Sequence, residues 1–216
     1  MITNFKQFNE NLLVPRNIEG RKEKLKQMNI KLLSQEVIDG DLKIDESFMD
    51  IDPKFIKIKK VKGDVWLTRG HWTEIPEWLK DVEISGNFNC SINSLETLKN
   101  CPQKIGGWFN CSYNKLISLE GCPEIIEGDF RSSNNLLTSL EGGPKIVKGM
   151  FRCGSNKLTS LEGGPKTVKG NFSCSYNKLS SLDGCPEIIE GDFYCINKPI
   201  LELPDYVKLK GEFVNV

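Results

Sequence analysis

"GNFSCSYNKLSSLDGCPEIIE", residues 170–190, decides the fold because five consecutive units from Gly86 to Glu190 share its pattern. Each unit opens with a glycine, counted here as position 1, and carries phenylalanine at position 3 and asparagine at position 8. A fixed period of this length predicts one coil per unit, with the coils stacked as a solenoid. The opening glycines recur every 20 to 23 residues, at Gly40, Gly63, Gly86, Gly107, Gly128, Gly149, Gly170, Gly191 and Gly211.

The residues around each opening glycine alternate between apolar and polar. In "VKGNFSC" we expect Val168, Phe172 and Cys174 to face the interior and Lys169 and Ser173 to face solvent, as in a half-buried strand. Three residues separate Val168 from Phe172, which indicates a long and flat strand. A Gly-Pro turn then returns the chain, so the pattern predicts one parallel strand per coil.

The asparagine at position 8 is expected to form a ladder along the stack. Its side-chain amide can both donate and accept, so it can bond to backbone groups of its own coil and of the next coil that would otherwise be buried without partners. The column consists of Asn93, Asn114, Asn135, Asn156 and Asn177.

The chain divides into two parts. Residues 1–39 lie outside the repeat and are expected to form a partly helical N-terminal cap or leader, and residues 40–216 form the solenoid. The helix is predicted within "EGRKEKLKQMNIKLL", with Leu25, Met28 and Leu32 on one face and an early end near Asn29. The opening "MITNFKQFNENLL" is either a capping helix or a packaging signal.

Three stretches, "FSCSYNKLSSL", "FNCSYNKLISL" and "FRCGSNKLTSL", resemble the strand, asparagine and leucine sequence of the leucine-rich repeat superfamily in a short bacterial or bacteriophage form. The resemblance extends from Gly86 to Val216 and, loosely, from Gly40 to Ser85. It implies a mainly β, right-handed leucine-rich-repeat-type solenoid that serves as a binding scaffold. "SLEGGPK" together with "GxFxCS", and the opening "FKQFNE", are similar to proteins encoded by large tailed phages.

Charge and hydropathy restrict the partners. Lys plus Arg and Asp plus Glu both number 29, so the net charge is zero. A neutral chain has no global field that would attract nucleic acid or an anionic membrane. No apolar run approaches about 18 residues, and the first residues lack a secretory pattern. We therefore expect a cytoplasmic protein with no membrane partner and, because acidic residues flank its basic ones, no nucleic-acid partner.

The eight cysteines fall into two columns that follow the packing pattern. Columns spread along a stack do not converge on one point, as zinc ligands must. Position 5 alternates in phase with phenylalanine, which favours small apolar packing residues with free thiols and no metal. Cys90, Cys111, Cys153, Cys174 and Cys195 occupy position 5, and Cys101, Cys122 and Cys185 occupy position 16.

No residue set predicts catalysis. His71 is the single histidine, and no nucleophile or acid partner is evident beside it. The acidic residues at position 14, such as Glu120 and Glu141, stand beside a turn glycine and are read as a solvated edge. The "EGG" glycines lack the phosphate-binding pattern. We expect a protein that is not an enzyme and needs no cofactor.

The outward strand positions break the repetition. Scaffold rules do not specify positions 21, 2 and 4, and these carry Trp, Met, Tyr and Arg, the residue types that anchor interfaces. Lysines on adjacent coils add a basic patch bounded by acid, which suits an acidic or mixed protein surface. The predicted partner-binding residues are Trp108, Arg131, Lys148, Met150, Arg152, Lys169 and Tyr194.

The functional hypothesis is a protein-binding scaffold, with a phage-encoded inhibitor of a host protein as its narrower version. The alternative is a virion or assembly component in which the solenoid is structural and residues 1–15 direct packaging. Other surfaces, namely the convex arcs and the N-terminal cap, remain open as the binding site, and so does the oligomeric state.

Overall fold

The computed structural model describes residues 18–67, 71–196 and 201–215, and its architecture is a stack of about eight coils behind one helix. All strand pairs are parallel and in register, so like residues of successive coils lie side by side. A parallel β-solenoid with a small N-terminal helical cap is thereby confirmed.

The strands form two rows along the stack. The longer row is one nine-stranded sheet made of β2 (Leu42–Ile44), β4 (Val65–Leu67), β6 (Phe88–Asn89), β7 (Phe109–Asn110), β9 (Phe130–Arg131), β11 (Phe151–Arg152), β13 (Phe172–Ser173), β15 (Phe193–Tyr194) and β17 (Phe213–Val214). The second row contains β1 (Val37–Ile38), β3 (Lys60–Val61) and β5 (Glu83–Ile84), then β8 (Ile125–Ile126), β10 (Ile146–Val147), β12 (Thr167–Val168), β14 (Ile188–Ile189) and β16 (Lys208–Leu209). A single bridge between Ile84 and Ile105 extends the first part of this second row.

The single long strand predicted for each coil is divided into two short strands by a bend at the opening glycine. Val168 ends β12 and Phe172 begins β13, with Gly170 between them. The Gly170 N–H donates to the Gly149 carbonyl at 3.0 Å, and a Cβ on Gly170 would lie 2.7 Å from the Gly149 carbonyl carbon. Glycine is therefore required where two coils approach this closely, and the chain turns a corner there.

Columns of identical apolar side chains form the core. Six phenylalanines at position 3, from Phe88 to Phe193, have no solvent exposure, and consecutive ring centroids lie 5.0–5.6 Å apart. The cysteines of position 5 are equally buried beside them, which confirms the predicted packing phase. Stacking therefore supplies the burial that a single coil lacks.

The asparagine ladder is confirmed, with one change of direction. The Asn135 Nδ2 atom donates to the carbonyls of Ser132 in its own coil and of Cys111 in the preceding coil, both at 3.1 Å. Its Oδ1 atom accepts the Leu116 N–H at 3.1 Å, also from the preceding coil. The side-chain amide thus bonds its coil to the preceding coil and not to the following one, because both inter-coil partners precede it in the chain.

The capping helix α1 (Ile18–Leu33) continues beyond the predicted early end at Asn29. Asn29 is buried, and its Nδ2 atom donates to the Ser47 hydroxyl at 2.7 Å, which satisfies the amide without breaking the helix. Leu33 is fully buried in the core, whereas Leu25, predicted on the packed face, is exposed. The helix therefore caps the stack with its last turns.

Three further segments complete the described fold. One-turn 3₁₀ helices span Glu46–Phe48, Pro53–Phe55 and Glu77–Asp81 in the return arcs of the longer first coils. The predicted leader at residues 1–15 lies outside the described residues, as do residues 197–200 in the coil that begins at Gly191. Strands β16 and β17 are the last strands of the two rows.

Candidate functional site

The outward face of the nine-stranded sheet is lined by positions 2 and 4. Position 2, assumed from the sequence to be free of scaffold rules, carries a second polar ladder. The Asp64 N–H donates to Asp41 Oδ1 at 2.8 Å, and the Asp192 N–H donates to Asn171 Oδ1 at 2.9 Å. An Asp or Asn at position 2 therefore accepts from the backbone of the next coil, and its recurrence in Asp41, Asp64, Asn87, Asp129, Asn171 and Asp192 was the signal available in the sequence.

Two residues on this face interrupt the ladder. Trp108 and Met150 occupy position 2, and their own N–H groups donate to Asn87 and Asp129 at 2.8 and 2.9 Å. Neither side chain can accept in the same way, because an indole offers only a donor and a thioether is a weak acceptor. Each interruption removes one inter-coil hydrogen bond, so the side chain present is not the one that the scaffold favours.

An aromatic and arginine cluster surrounds the first interruption. The ring of Trp108 meets the edge of Trp66 at a centroid distance of 6.0 Å, although Trp66 lies two coils away. The Arg131 guanidinium lies 5.9 Å from the Trp108 centroid and pairs with Asp129 at 2.9 Å. Trp66 is not among the residues predicted from the sequence, because it occupies position 4 of the coil of Gly63, which follows the repeat only loosely.

The second interruption leaves an arginine without a carboxylate. Arg152 follows Met150 as Arg131 follows Asp129, and its Nη2 atom lies 3.6 Å from the Met150 sulfur. In the coil of Gly191, the Tyr194 hydroxyl donates to Asp192 at 2.9 Å. Backbone donation from Glu212 and this tyrosine bond lower the pKa of Asp192, and the bond to Asp192 raises the pKa of Tyr194. The coils of Gly128, Gly149 and Gly191 thus present different chemistry from the same two positions.

The two predicted lysines lie apart from the sheet face, in the bend before the opening glycines. Lys148 is exposed and pairs with Glu127 of the preceding coil at 2.7 Å. Lys169 is exposed one coil further on. The basic patch is therefore partly neutralised by an ion pair along the stack, and such exposed pairs contribute little to stability.

A row of left-handed residues borders the sheet at position 7. The φ angles are between 54° and 59° at Ile92, Tyr113, Asn134, Ser155 and Tyr176. Asparagine tolerates this conformation, but an aromatic or β-branched residue is strained in it. Ile92, Tyr113 and Tyr176 are 75%, 59% and 65% exposed, so core packing does not explain their choice. Exposed apolar residues held at a strained position are candidates for contact with a partner.

Replacing Ile92 by asparagine should stabilise the protein, because the backbone at φ 57° favours asparagine and the side chain buries little surface. We expect a gain of about 1 kcal/mol in the free energy of unfolding, measured by urea denaturation. Ile117→Asn is the matched control, since Ile117 is 64% exposed without a positive φ. An equal gain in both variants would show that surface polarity, and not backbone strain, is responsible.

The cysteine columns offer packing and no reactive group. All eight cysteines are buried, and none of them forms a disulfide bond. Burial raises the pKa of Cys90, Cys101 and Cys122 well above the ordinary value, and it raises the pKa of Cys185 to about 11. These thiols therefore stay protonated at neutral pH, and a protonated thiol is a poor nucleophile.

Among the residues that the structure describes, no group of three or more His, Cys, Asp and Glu side chains could hold a metal ion. His71 is exposed. Within the same described ranges, no helix is long and apolar enough to cross a membrane. Comparison with protein-family models, with curated proteins and with solved structures finds no significant match. The chain is therefore placed by its own geometry, in the class of parallel β-solenoids.

Proposed function

We propose that this protein is a non-enzymatic scaffold that binds a protein partner through the outward face of its nine-stranded sheet. The observation that carries the proposal is the double interruption of the position 2 ladder. Trp108 and Met150 stand where an Asp or Asn would bond to the next coil, and each is only partly buried. Tryptophan, methionine and arginine are enriched at interfaces, so binding of a protein partner explains why these two positions lack the inter-coil hydrogen bond.

The dimensions of the face support the proposal. Nine parallel strands spaced about 4.8 Å apart give a sheet about 38 Å long. The predicted residues Trp108, Arg131, Met150, Arg152 and Tyr194 lie on this one face, with Lys148 and Lys169 along its border. A rigid face of this length is sufficient for an interface of standard size, about 800 Å² on each partner.

The narrower proposal is a cytoplasmic inhibitor of a host protein, encoded by a phage. Its support is the resemblance of "SLEGGPK" and "GxFxCS" to phage-type leucine-rich repeats. Particle assembly remains the second proposal, and it depends on residues 1–15. Loss of the protein from purified particles after deletion of those residues would favour assembly over inhibition.

The variant Arg131→Ala with Arg152→Ala tests the binding face. We expect affinity for a captured protein partner to fall at least tenfold, because truncated interface arginines commonly cost about 2 kcal/mol each. The melting temperature should change by only a few degrees, since both side chains lie outside the core. Affinity is measured by calorimetric titration of the captured partner.

Glu120→Gln with Glu141→Gln is the control pair, because both residues are exposed on the return arcs. We expect this pair to leave the affinity unchanged. If the glutamine pair abolishes binding while the alanine pair preserves it, the sheet face is the wrong surface, and the convex arcs or the cap must bind the partner.

A further inference from the structure

A groove of about 410 Å³ crosses the outward face where the position 4 side chain becomes small. Ser173 and Asn171 form its floor, in the coil of Gly170. Arg152 of the preceding coil and Tyr194 of the following coil form its walls, and Tyr176 from the left-handed row also lines it. The two walls are two coils apart, about 10 Å between backbones.

The Arg152 guanidinium, on one wall of the groove, carries a positive charge that no carboxylate of the described residues neutralises. Arg131, one coil earlier at the same position, is neutralised by Asp129 at 2.9 Å. Arg152 has methionine in place of that aspartate, and no carboxylate of the described residues lies within 4.0 Å of its guanidinium. The substitution of Asp by Met at position 2 therefore leaves a guanidinium available at the groove.

The floor supplies neutral donors. The Asn171 Oδ1 atom is occupied by the Asp192 N–H at 2.9 Å, which orients the side chain and leaves its Nδ2 group as a donor. The Ser173 hydroxyl is a second donor in the same coil. Gly154 replaces the serine found at position 6 in neighbouring coils, so the rim of the groove carries no side chain there.

The charge balance selects a monoanion. The groove lining contains one cation, Arg152, and no acidic residue. Asp192 lies just outside and holds the Tyr194 hydroxyl at 2.9 Å, so it opposes a ligand with two negative charges. Glu212 beyond it adds to that repulsion, and Lys169 is exposed at the opposite border. A planar carboxylate binds one guanidinium bidentately, and its single negative charge is balanced by it. A phosphate dianion carries one negative charge more than Arg152 balances.

We infer that this groove binds a carboxylate side chain, with Arg152 pairing with the carboxylate, Ser173 and Asn171 donating to it, and the two tyrosines flanking its methylene groups. The inference rests on the proposed function in one respect, since it names an acidic residue of the protein partner as the group that enters the groove. Trp66, Trp108 and Arg131 then form a separate contact area three to six coils from Tyr194.

Nuclear magnetic resonance titration of the full chain tests the groove without the partner. The probe is N-acetylglutamic acid α-amide, which carries one carboxylate, and the control ligand is the neutral N-acetylglutamine α-amide. We expect saturable shifts of the Arg152 Nε–H and the Ser173 amide with the acid, at millimolar concentration, and none with the neutral ligand. The Arg131 Nε–H should not shift, because this atom is buried and Asp129 already neutralises the guanidinium through Nη2.

Two variants sharpen the result. Arg152→Gln should weaken binding of the acid at least tenfold. Ser173→Tyr should abolish it by filling the floor with the side chain that position 4 already accepts at Tyr194. Asn110→Tyr, at position 4 outside the groove, is the matched control and should leave binding unchanged. Unperturbed amide spectra elsewhere show that each variant is folded.

Equal shifts with both ligands, equal shifts at Arg131 and exposed lysines, or tighter binding of inorganic phosphate would each overturn the inference. These outcomes are separate from the proposed function. If the acid does not bind but the double arginine variant still loses the partner, the face binds a protein by other contacts. If the acid binds and the double variant keeps the partner, the groove is real and the partner sits elsewhere.

Discussion

Replacing Phe151 by alanine is expected to lower the free energy of unfolding by about 4 kcal/mol, as large-to-small changes in packed cores do. Its ring has no solvent exposure and lies 5.2 Å from the ring of Phe130 and 5.4 Å from that of Phe172. The cavity interrupts the phenylalanine column mid-stack, where neighbouring coils held in register cannot collapse into it. The melting temperature should fall by about 10 °C in calorimetry.

Met150→Ala is the matched control for this change. Met150 precedes Phe151 on the opposite side of the sheet and is only partly buried. We expect it to cost about 1 kcal/mol or less. Equal destabilisation by the two variants would contradict the assignment of position 3 to the core and position 2 to the surface.

Replacing Asn156 by alanine is expected to cost about 3 kcal/mol, because buried backbone groups lose their partners on two coils. Its Nδ2 atom donates to the carbonyls of Cys153 and Ser132, both at 3.0 Å. Its Oδ1 atom accepts the Leu137 N–H at 3.1 Å. Urea denaturation measures the loss, and amide hydrogen exchange at Leu137 should accelerate more than elsewhere.

Lys157→Ala provides the comparison for the asparagine variant, since Lys157 is the next residue and is exposed. It should change the free energy of unfolding by less than about 0.5 kcal/mol. An unchanged melting temperature for Asn156→Ala would show that the ladder is replaced by water and is not a structural requirement.

The sequence was sufficient for the core because repetition makes the packing rules visible. Phe151, Cys153 and Leu158 each recur at fixed positions, and parallel register places each above its counterpart, so their burial follows from the period alone. The asparagine column was predictable for the same reason, since a buried amide must find partners and the adjacent coil is the nearest source.

Other features depend on backbone geometry that the period does not reveal. The bend at Gly170 divides the strand because two coils approach too closely there for a Cβ. This close approach arises from the stacking of the coils, and the alternation of apolar and polar residues does not reveal it. The position 2 ladder does not follow from the alternation, because an outward aspartate or asparagine needs no partner unless the next coil brings a backbone N–H to it. Ile92 is strained because its φ is positive. Asn134 at the same position of its coil is compatible with a positive φ, but this indicates strain at Ile92 only once the turn is known.

The residues of the candidate site were predictable from the sequence, but the contacts between their side chains were not. Trp108, Arg131 and Arg152 were identified as departures from the repeat, but the pairing of Arg131 with Asp129 and the open state of Arg152 required coordinates. Two arginines at the same position thus differ in whether a carboxylate pairs with the guanidinium, because the residues two positions earlier differ.

The most direct test of the central claim, that the outward sheet face binds the partner, is site-specific photo-crosslinking. A photoreactive phenylalanine analogue is placed singly at Asn89 or Asn110 on the sheet face, both at position 4 outside the groove, and at Glu141 or Glu162 on the return arcs, where both glutamates are exposed. We expect both sheet positions to give an adduct of one mass with the captured partner, and neither arc position to do so. An adduct formed from the arc positions alone would contradict the claim.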